Sequence, residues 1–372
     1  LIGEAIPPEP IPEVAAGLVL ILMLVLVLPF KSKIIEGNLE LFFLIMGFTA
    51  VGLLYFKGLL GVKALKELFL LALKTPLFIQ GVPMGITQVV LIAGLAFYAY
   101  HEQIYGGIAS MYSKLGPRYF GIAIALLLGL TSSIISVIVA AVILAELVAA
   151  LPVSREAKIG YTVASAFAIG MGAALTPVGE PLATIAISKL SGPPFHAGFA
   201  FLFTHLGRVL VPGIVAVAIY AGYMLERAGS VGEGVFKATY TETLGRVIMR
   251  AVRVYMFVAA LELLGHGFTP LINWYLSKIP GYILYWVNMV SAVLDNATLT
   301  AAEIGPSLTL NQIRSALTSL IISGGMLIPG NIPNIVAAGR LQISSGEWAK
   351  RGIPIGMALL IVYFVVVEVF RI

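Results

Sequence analysis

The sequence predicts an all-α polytopic membrane protein whose second half repeats the plan of its first. Three observations predict it. Of 372 residues, 59% are hydrophobic and 11% charged, where soluble domains carry about 25% charged residues. The apolar stretches are long and continuous rather than alternating segments of about 10 residues, which excludes a β-barrel. Two segments share one spacing of Gly, Leu and Pro, each after a polar interruption of an apolar helix. If each span takes about 20 residues and each connection about 10, the chain holds at most about 12 spans. A single-span receptor with a soluble head is thereby excluded.

The residue types that are absent exclude several chemistries. There is no Cys, hence no disulfide, thiolate metal site or thiol nucleophile. His101, His196, His205 and His266 are scattered and form no zinc motif. Neither a phosphate-binding P-loop nor a Gly-x-Ser-x-Gly elbow occurs. Asp295 is the only Asp, so an intramembrane protease built on two Asp residues is excluded. The net charge of +5 reads as Lys and Arg gathered in cytoplasmic loops, not as a nucleic-acid surface.

The elements follow in order. Residues 1–13 hold four Pro and three Glu without a basic residue. They lack the n-region of a signal peptide, and their acidity favours an external location. Residues 14–30 and 39–56 are apolar spans, the first followed by Lys31 and Lys33. Residues 57–84 read as an interfacial amphipathic helix leading into a span, because Lys57, Lys63, Lys66 and Lys74 interrupt an apolar stretch. Residues 86–100 span again, and 101–117 read as a surface connection. Residues 1–117 thus form an N-terminal group of scaffold spans.

A short apolar helix at 119–130 is interrupted by Thr131, Ser132 and Ser133, and 134–151 continues it. Glu146 is placed in that second limb, facing water near Pro152. Residues 157–174 end in a Pro/Gly break, with a half helix at 182–190 and a long span at 199–225. Residues 118–225 therefore make the first-half unit, and 226–246 a polar linker. A span at 247–265 and an amphipathic stretch make a second scaffold piece, 247–280. In the last unit, 281–372, a short apolar helix at 281–294 is interrupted by Asp295, Asn296 and Thr298. The apolar run 312–325 then ends in a second break, followed by a half helix at 334–341 and a final span at 353–370.

Gly172, Leu175, Pro177 and Pro181 match Gly324, Leu327, Pro329 and Pro333 in spacing, and a basic-Leu pair ends each half helix. In hydrocarbon every backbone polar group must be satisfied internally, so broken helices are tolerated where protein or a water-filled cavity surrounds them. Corresponding interruptions in two halves point to a transport site, where helix N-termini favour anions and unwound carbonyls favour cations.

The polar residues in these interruptions are the candidate ligands. Asp295, beside Asn296 and seven residues after Asn288, is a carboxylate at membrane depth, costly unless paired, protonated or ion-bound. Glu180 lies inside the first break. Thr131, Ser132, Ser133, Thr298, Asn331 and Asn334 supply neutral oxygens of the kind a hard cation takes, although hydroxyls also cap helices structurally. Glu303 either lines the site or marks a polar exit. Arg208 either balances charge in the empty site or snorkels to the interface. Gly172, Pro177, Pro181, Gly324, Pro329 and Pro333 shape the broken backbone.

Val-Leu-Asp295-Asn296-Ala-Thr-Leu-Thr, followed by Gly-Gly-Met-Leu-Ile-Pro-Gly-Asn-Ile-Pro-Asn-Ile, resembles the ion transporter superfamily. The resemblance is to its branch of NhaD-type sodium/proton antiporters and arsenite permeases, or to an adjacent group of cation transporters. It covers residues 118–190 and 281–341. It implies two inverted repeats, each with a re-entrant hairpin and a Pro/Gly-broken helix around a midplane site, and a homodimer of scaffold and moving transport domains. Asp295, Asn296, Thr298, Asn331 and Asn334 match the family's second-half pattern. The first half departs from it: Thr-Ser-Ser stands where an Asp-Asn pair is common, and Glu180 sits in the break.

The expected function is secondary active transport through about 10 spans, exchanging a small monovalent cation, most simply sodium, for protons by alternating access. The expected location is the cell membrane. The protein is expected to be no enzyme, with no cofactor, no transition metal and no nucleic-acid partner. Its partners are lipid and the transported ions. The runner-up is an anion transporter of arsenite or a dicarboxylate, and a passive channel is a further alternative.

Overall fold

A chain in hydrocarbon hides its backbone polar groups in helices, and the described residues are helical with no strand among them. The computed structural model describes residues 7, 9–36, 38–78, 86–135, 137–227, 243–275, 281–294, 296–306 and 308–370. The first helices are α1 (Pro12–Lys31), the short α2 (Lys33–Glu36), α3 (Leu39–Phe56) and α4 (Val62–Lys74). α5 (Ile86–Ile135) and α6 (Val137–Ala150) lead to α7 (Arg155–Ala173), the half helix α8 (Pro181–Lys189) and α9 (Phe201–Arg227). The second half holds α10 (Leu244–Trp274), α11 (Gly281–Val287) with a 3-10 segment Asn288–Ala292, α12 (Asn296–Glu303) and α13 (Leu310–Gly324). A 3-10 turn Ile328–Gly330, the half helix α14 (Ile332–Leu341) and α15 (Ser345–Phe364) complete it.

Local chemistry sets these boundaries. Pro12, Pro181 and Pro333 sit in first turns, where a missing N–H costs nothing. Thr309 with Gln312 and Ser344 with Glu347 close capping boxes that start α13 and α15. α4 is the expected amphipathic helix: Leu68 and Ala72 are buried, while Lys63, Lys66 and Lys74 are exposed.

Three sequence expectations are corrected. Residues 101–117, the expected surface connection, are mostly exposed but helical rather than irregular: α5 bends at Tyr100 (φ −119°, ψ 21°) and breaks at Gly116 (φ 72°, ψ 164°). Gly116 precedes Pro117 and takes a conformation open to glycine; no earlier proline stops the helix. Thr131, Ser132 and Ser133 do not interrupt α5 either, because their hydroxyls bond back to carbonyls of the preceding turn. The span at 247–265 and the stretch after it form one helix, with Pro270 inside it. Most of the expected linker, residues 228–242, lies outside the described residues.

Among the described residues five helices are long and apolar enough to cross a membrane: Pro12–Pro29, Leu39–Phe56, Ser110–Ile135, Phe201–Arg227 and Ser345–Val369. Leu20, Met23, Ile45, Phe48, Ile361 and Val362 are exposed on them, as lipid-facing side chains are. The chain is therefore a membrane-embedded helical protein.

Packing forms two groups joined by α10, which lies along α3, touches α1 and α4, and also packs on α5. The approach is close because a Cβ at Gly47 would stand 2.9 Å from the Leu263 Cβ, the small-residue contact that lets membrane helices pack. The Glu40–Arg253 pair at 3.4 Å ties the same helices. In the other group α5, α7 and α9 pack on one another, and α13 packs against α7, α11 and α15. Between the halves the contacts are reciprocal. The first-half α6 packs on the second-half half helix α14, and the second-half α12 packs on the first-half half helix α8.

Candidate functional site

In the first half, the end of α5 is knitted to the first break. A Cβ on Gly172 would run into the Gly129 carbonyl, so only glycine lets α7 approach α5 here. Ser132, fully buried, has its Oγ 2.7 Å from Gly129 O and 3.0 Å from Ile169 O. Thr176 Oγ1 donates to the Ser133 carbonyl, and Val137 N donates to Gly179 O at 2.8 Å. Thr184 Oγ1 donates to Pro177 O at 2.6 Å. The break therefore satisfies its carbonyls with neighbouring hydroxyls and N–H groups, as buried backbone must. Glu180 takes the N-cap position of α8 with extended backbone; it is 4% exposed, and its side chain does not cap the helix. Thr131 is half-buried, and its hydroxyl goes to Leu127 O at 2.7 Å.

The second break is built by asparagines. Asn334 Nδ2 donates to Gly324 O at 2.8 Å and Leu327 O at 2.7 Å, pairing carbonyls that the end of α13 leaves open. Trp348 Nε1 donates to Gly325 O at 3.1 Å. Asn331 caps α14, its Oδ1 accepting from Ile332 N at 2.8 Å. Its Nδ2 lies against Gly170 of α7, 3.0 Å from where a Cβ would stand, so the second break touches the first-half helix. A Cβ on Gly330 would stand 2.8 Å from both Ser291 O and Ala292 O, which brings that break beside the 3-10 segment. Asn296, 4% exposed, opens α12. Asp295 lies outside the described residues, between Leu294 and Asn296, and the Thr298 side chain lies outside them as well.

Glu303 closes α12. Its Oε2 accepts from Asn288 Nδ2 at 3.0 Å, and the same amide nitrogen donates to Ser319 Oγ at 3.0 Å. Glu303 is half-buried and belongs to a polar cluster with Asn288 and Ser319. Arg208 is exposed on α9, as a snorkelling side chain is.

Glu146 is the residue that sequence reasoning misplaced. It does not face water. It is 1% exposed, and Arg340 Nε of α14 and Arg250 Nη1 of α10 stand 2.8 Å and 3.2 Å from its Oε1. Glu146 sits in the middle of the apolar α6, and a carboxylate there requires buried cations. Its partners lie on α10 and α14, which only the folded chain brings to α6. Asn288 and the hydroxyls Ser315, Ser319 and Ser323, four residues apart on α13, are likewise buried polar groups that a search centred on the breaks passes over.

The first break is bonded to the α5–α6 unit, the second lies against the 3-10 segment of its own half, and each half helix packs on an element of the other half. Buried hydroxyls and the Glu180 carboxylate lie at the first break, and the buried Asn331 and Asn334 amides at the second. No curated protein matches the chain. A family model described as "Protein of unknown function (DUF1646)" matches residues 15–370, and the chain belongs to that family.

Proposed function

We propose that the protein is a secondary active transporter that exchanges a small monovalent cation, sodium in the simplest case, for protons by alternating access. The single observation that carries this reading is the pair of matching breaks with reciprocal packing, α6 on α14 and α12 on α8. Two exchanged half helices around one midplane site are the plan of transporters with inverted repeats. In this reading the halves are inverted, the α5–α6 and α11–α12 units are re-entrant hairpins, and about 10 segments cross or enter the cell membrane. The scaffold group of α1, α3, α4 and α10 holds a homodimer.

The ion is held by Asp295 and Asn296 at the second interruption, by Glu180 at the first, and by the hydroxyl and amide oxygens of Ser132, Ser133, Asn331 and Asn334. One carboxylate cluster binds a cation or protons but not both, and reorients when loaded. A ligand shifts such a two-state equilibrium only by its differential affinity for the two states. Thr176 holds the first break in shape, and Asn334 holds the second through its Nδ2 while its Oδ1 remains for the ion.

One observation favours the anion alternative: two guanidiniums converge on Glu146, and guanidiniums are the groups proteins use for oxyanions. The experiment that separates the readings is a proteoliposome assay with an interior pH dye. A gradient of Na⁺, Li⁺ or K⁺ moves protons in the cation reading. A gradient of arsenite or a dicarboxylate, and not of cations, drives solute uptake in the alternative.

A further inference from the structure

α6 and α12 are the corresponding second limbs of the two interrupted units, and each carries one inward carboxylate. Glu146 on α6 meets two guanidiniums. Glu303 on α12 makes no ion pair among the described residues; its one bonded oxygen, Oε2, accepts from the neutral Asn288 amide. Its second oxygen, Oε1, has no hydrogen-bond partner, and neither has the Asn288 Oδ1. Asn288 is fully buried. Two acceptor oxygens therefore lie in one bonded cluster with no donor supplied to them. Nature rarely leaves a buried acceptor open without a ligand, an ion or a water, and a carboxylate in a low-dielectric interior needs a compensating charge.

The cluster is also connected. Ser319, bonded to Asn288, lies between Ser315 and Ser323 at four-residue spacing on one ridge of α13, about 6 Å per step. The Ser315 and Ser323 hydroxyls are buried and likewise without partners. Ser323 adjoins Gly324, whose carbonyl Asn334 holds. Buried hydroxyls thus lead from the Asn288–Glu303 pair through the bonded Ser319 to the unpartnered Ser323 beside the second break.

We infer that Glu303 Oε1 and Asn288 Oδ1, with the α13 hydroxyl ridge beside them, form a second subsite for a monovalent cation, separate from the one at the second interruption. Hard cations take carboxylate, amide and hydroxyl oxygens, and this set holds all three. The inference rests on the transporter reading, because it gives the cation a relay position beside the break.

The test is equilibrium binding of radioactive Na⁺ to the purified full chain in detergent. It compares wild type with Glu303→Gln, Ser319→Ala and Asp295→Asn, each checked for a monodisperse elution profile and for its melting temperature without Na⁺. Two Na⁺ per chain are expected in wild type. Glu303→Gln should lose one and keep the other, and Asp295→Asn should lose the other. Ser319→Ala, which keeps the carboxylate, should weaken one of the two at least threefold, and it carries the test if Glu303→Gln loses its fold. One Na⁺ per wild-type chain, or unchanged number and affinity in the variants, overturns the subsite while the transporter reading stands. Absence of both Na⁺ binding and cation-driven flux in wild type overturns that reading itself.

Discussion

Glu146 and Arg340, 194 residues apart, meet inside the protein: Arg340 Nε stands 2.8 Å from the Glu146 Oε1. The pair joins the interrupted unit of one half to the half helix of the other, and Arg250 adds the scaffold helix α10 at 3.2 Å. Three parts of the chain are held by one carboxylate.

Removing that charge leaves two guanidiniums in the interior around a neutral amide. Breaking a buried pair from one side costs about 3–5 kcal/mol, whereas an exposed pair contributes at most about 1 kcal/mol. Glu146→Gln should therefore lower the melting temperature in detergent far more than Glu156→Gln, which breaks only the outer pair with Arg351. Equal melting temperatures for the two variants would remove Glu146 from its structural role.

The sequence made the breaks legible because Pro and Gly act locally. Gly172 to Pro181 and Gly324 to Pro333 lie where the helices end, and α8 and α14 begin where the prolines allow. Thr131 to Ser133 misled for a physical reason. Hydroxyls that weaken a helix in water bond back to the preceding turn when no water is present, so α5 continues to Ile135. Glu146 was illegible because its partners lie on α10 and α14. Asn288 and Ser319 become informative only once α13 packs beside the 3-10 segment.

The reciprocal packing of α6 on α14 and α12 on α8 predicts opposite entry of the two interrupted units. Single cysteines at Lys114 and Tyr282, both exposed, are placed in a chain that has no native cysteine. An impermeant thiol reagent should label them from opposite faces of the membrane. Labelling from one face is incompatible with inverted halves.

Glu180 stands at the start of α8, nearly inaccessible. Glu180→Gln keeps the shape and removes the charge. Cation-driven proton flux should fall at least about tenfold, the equivalent of roughly 1.4 kcal/mol, while the protein elutes as wild type does. Unchanged flux would assign Glu180 to the architecture of the break alone.

The central claim is that one carboxylate cluster takes either a cation or protons, and Asp295 is its first residue. The most direct measurement is Na⁺-driven pH change in proteoliposomes, followed as a function of external pH for wild type and Asp295→Asn. Competition for one site requires apparent Na⁺ affinity to weaken in wild type as proton concentration rises, and the variant to move no protons in response to Na⁺ although folded and inserted. Normal Na⁺-driven flux in Asp295→Asn, or a wild-type Na⁺ affinity that does not change with pH, would contradict the account.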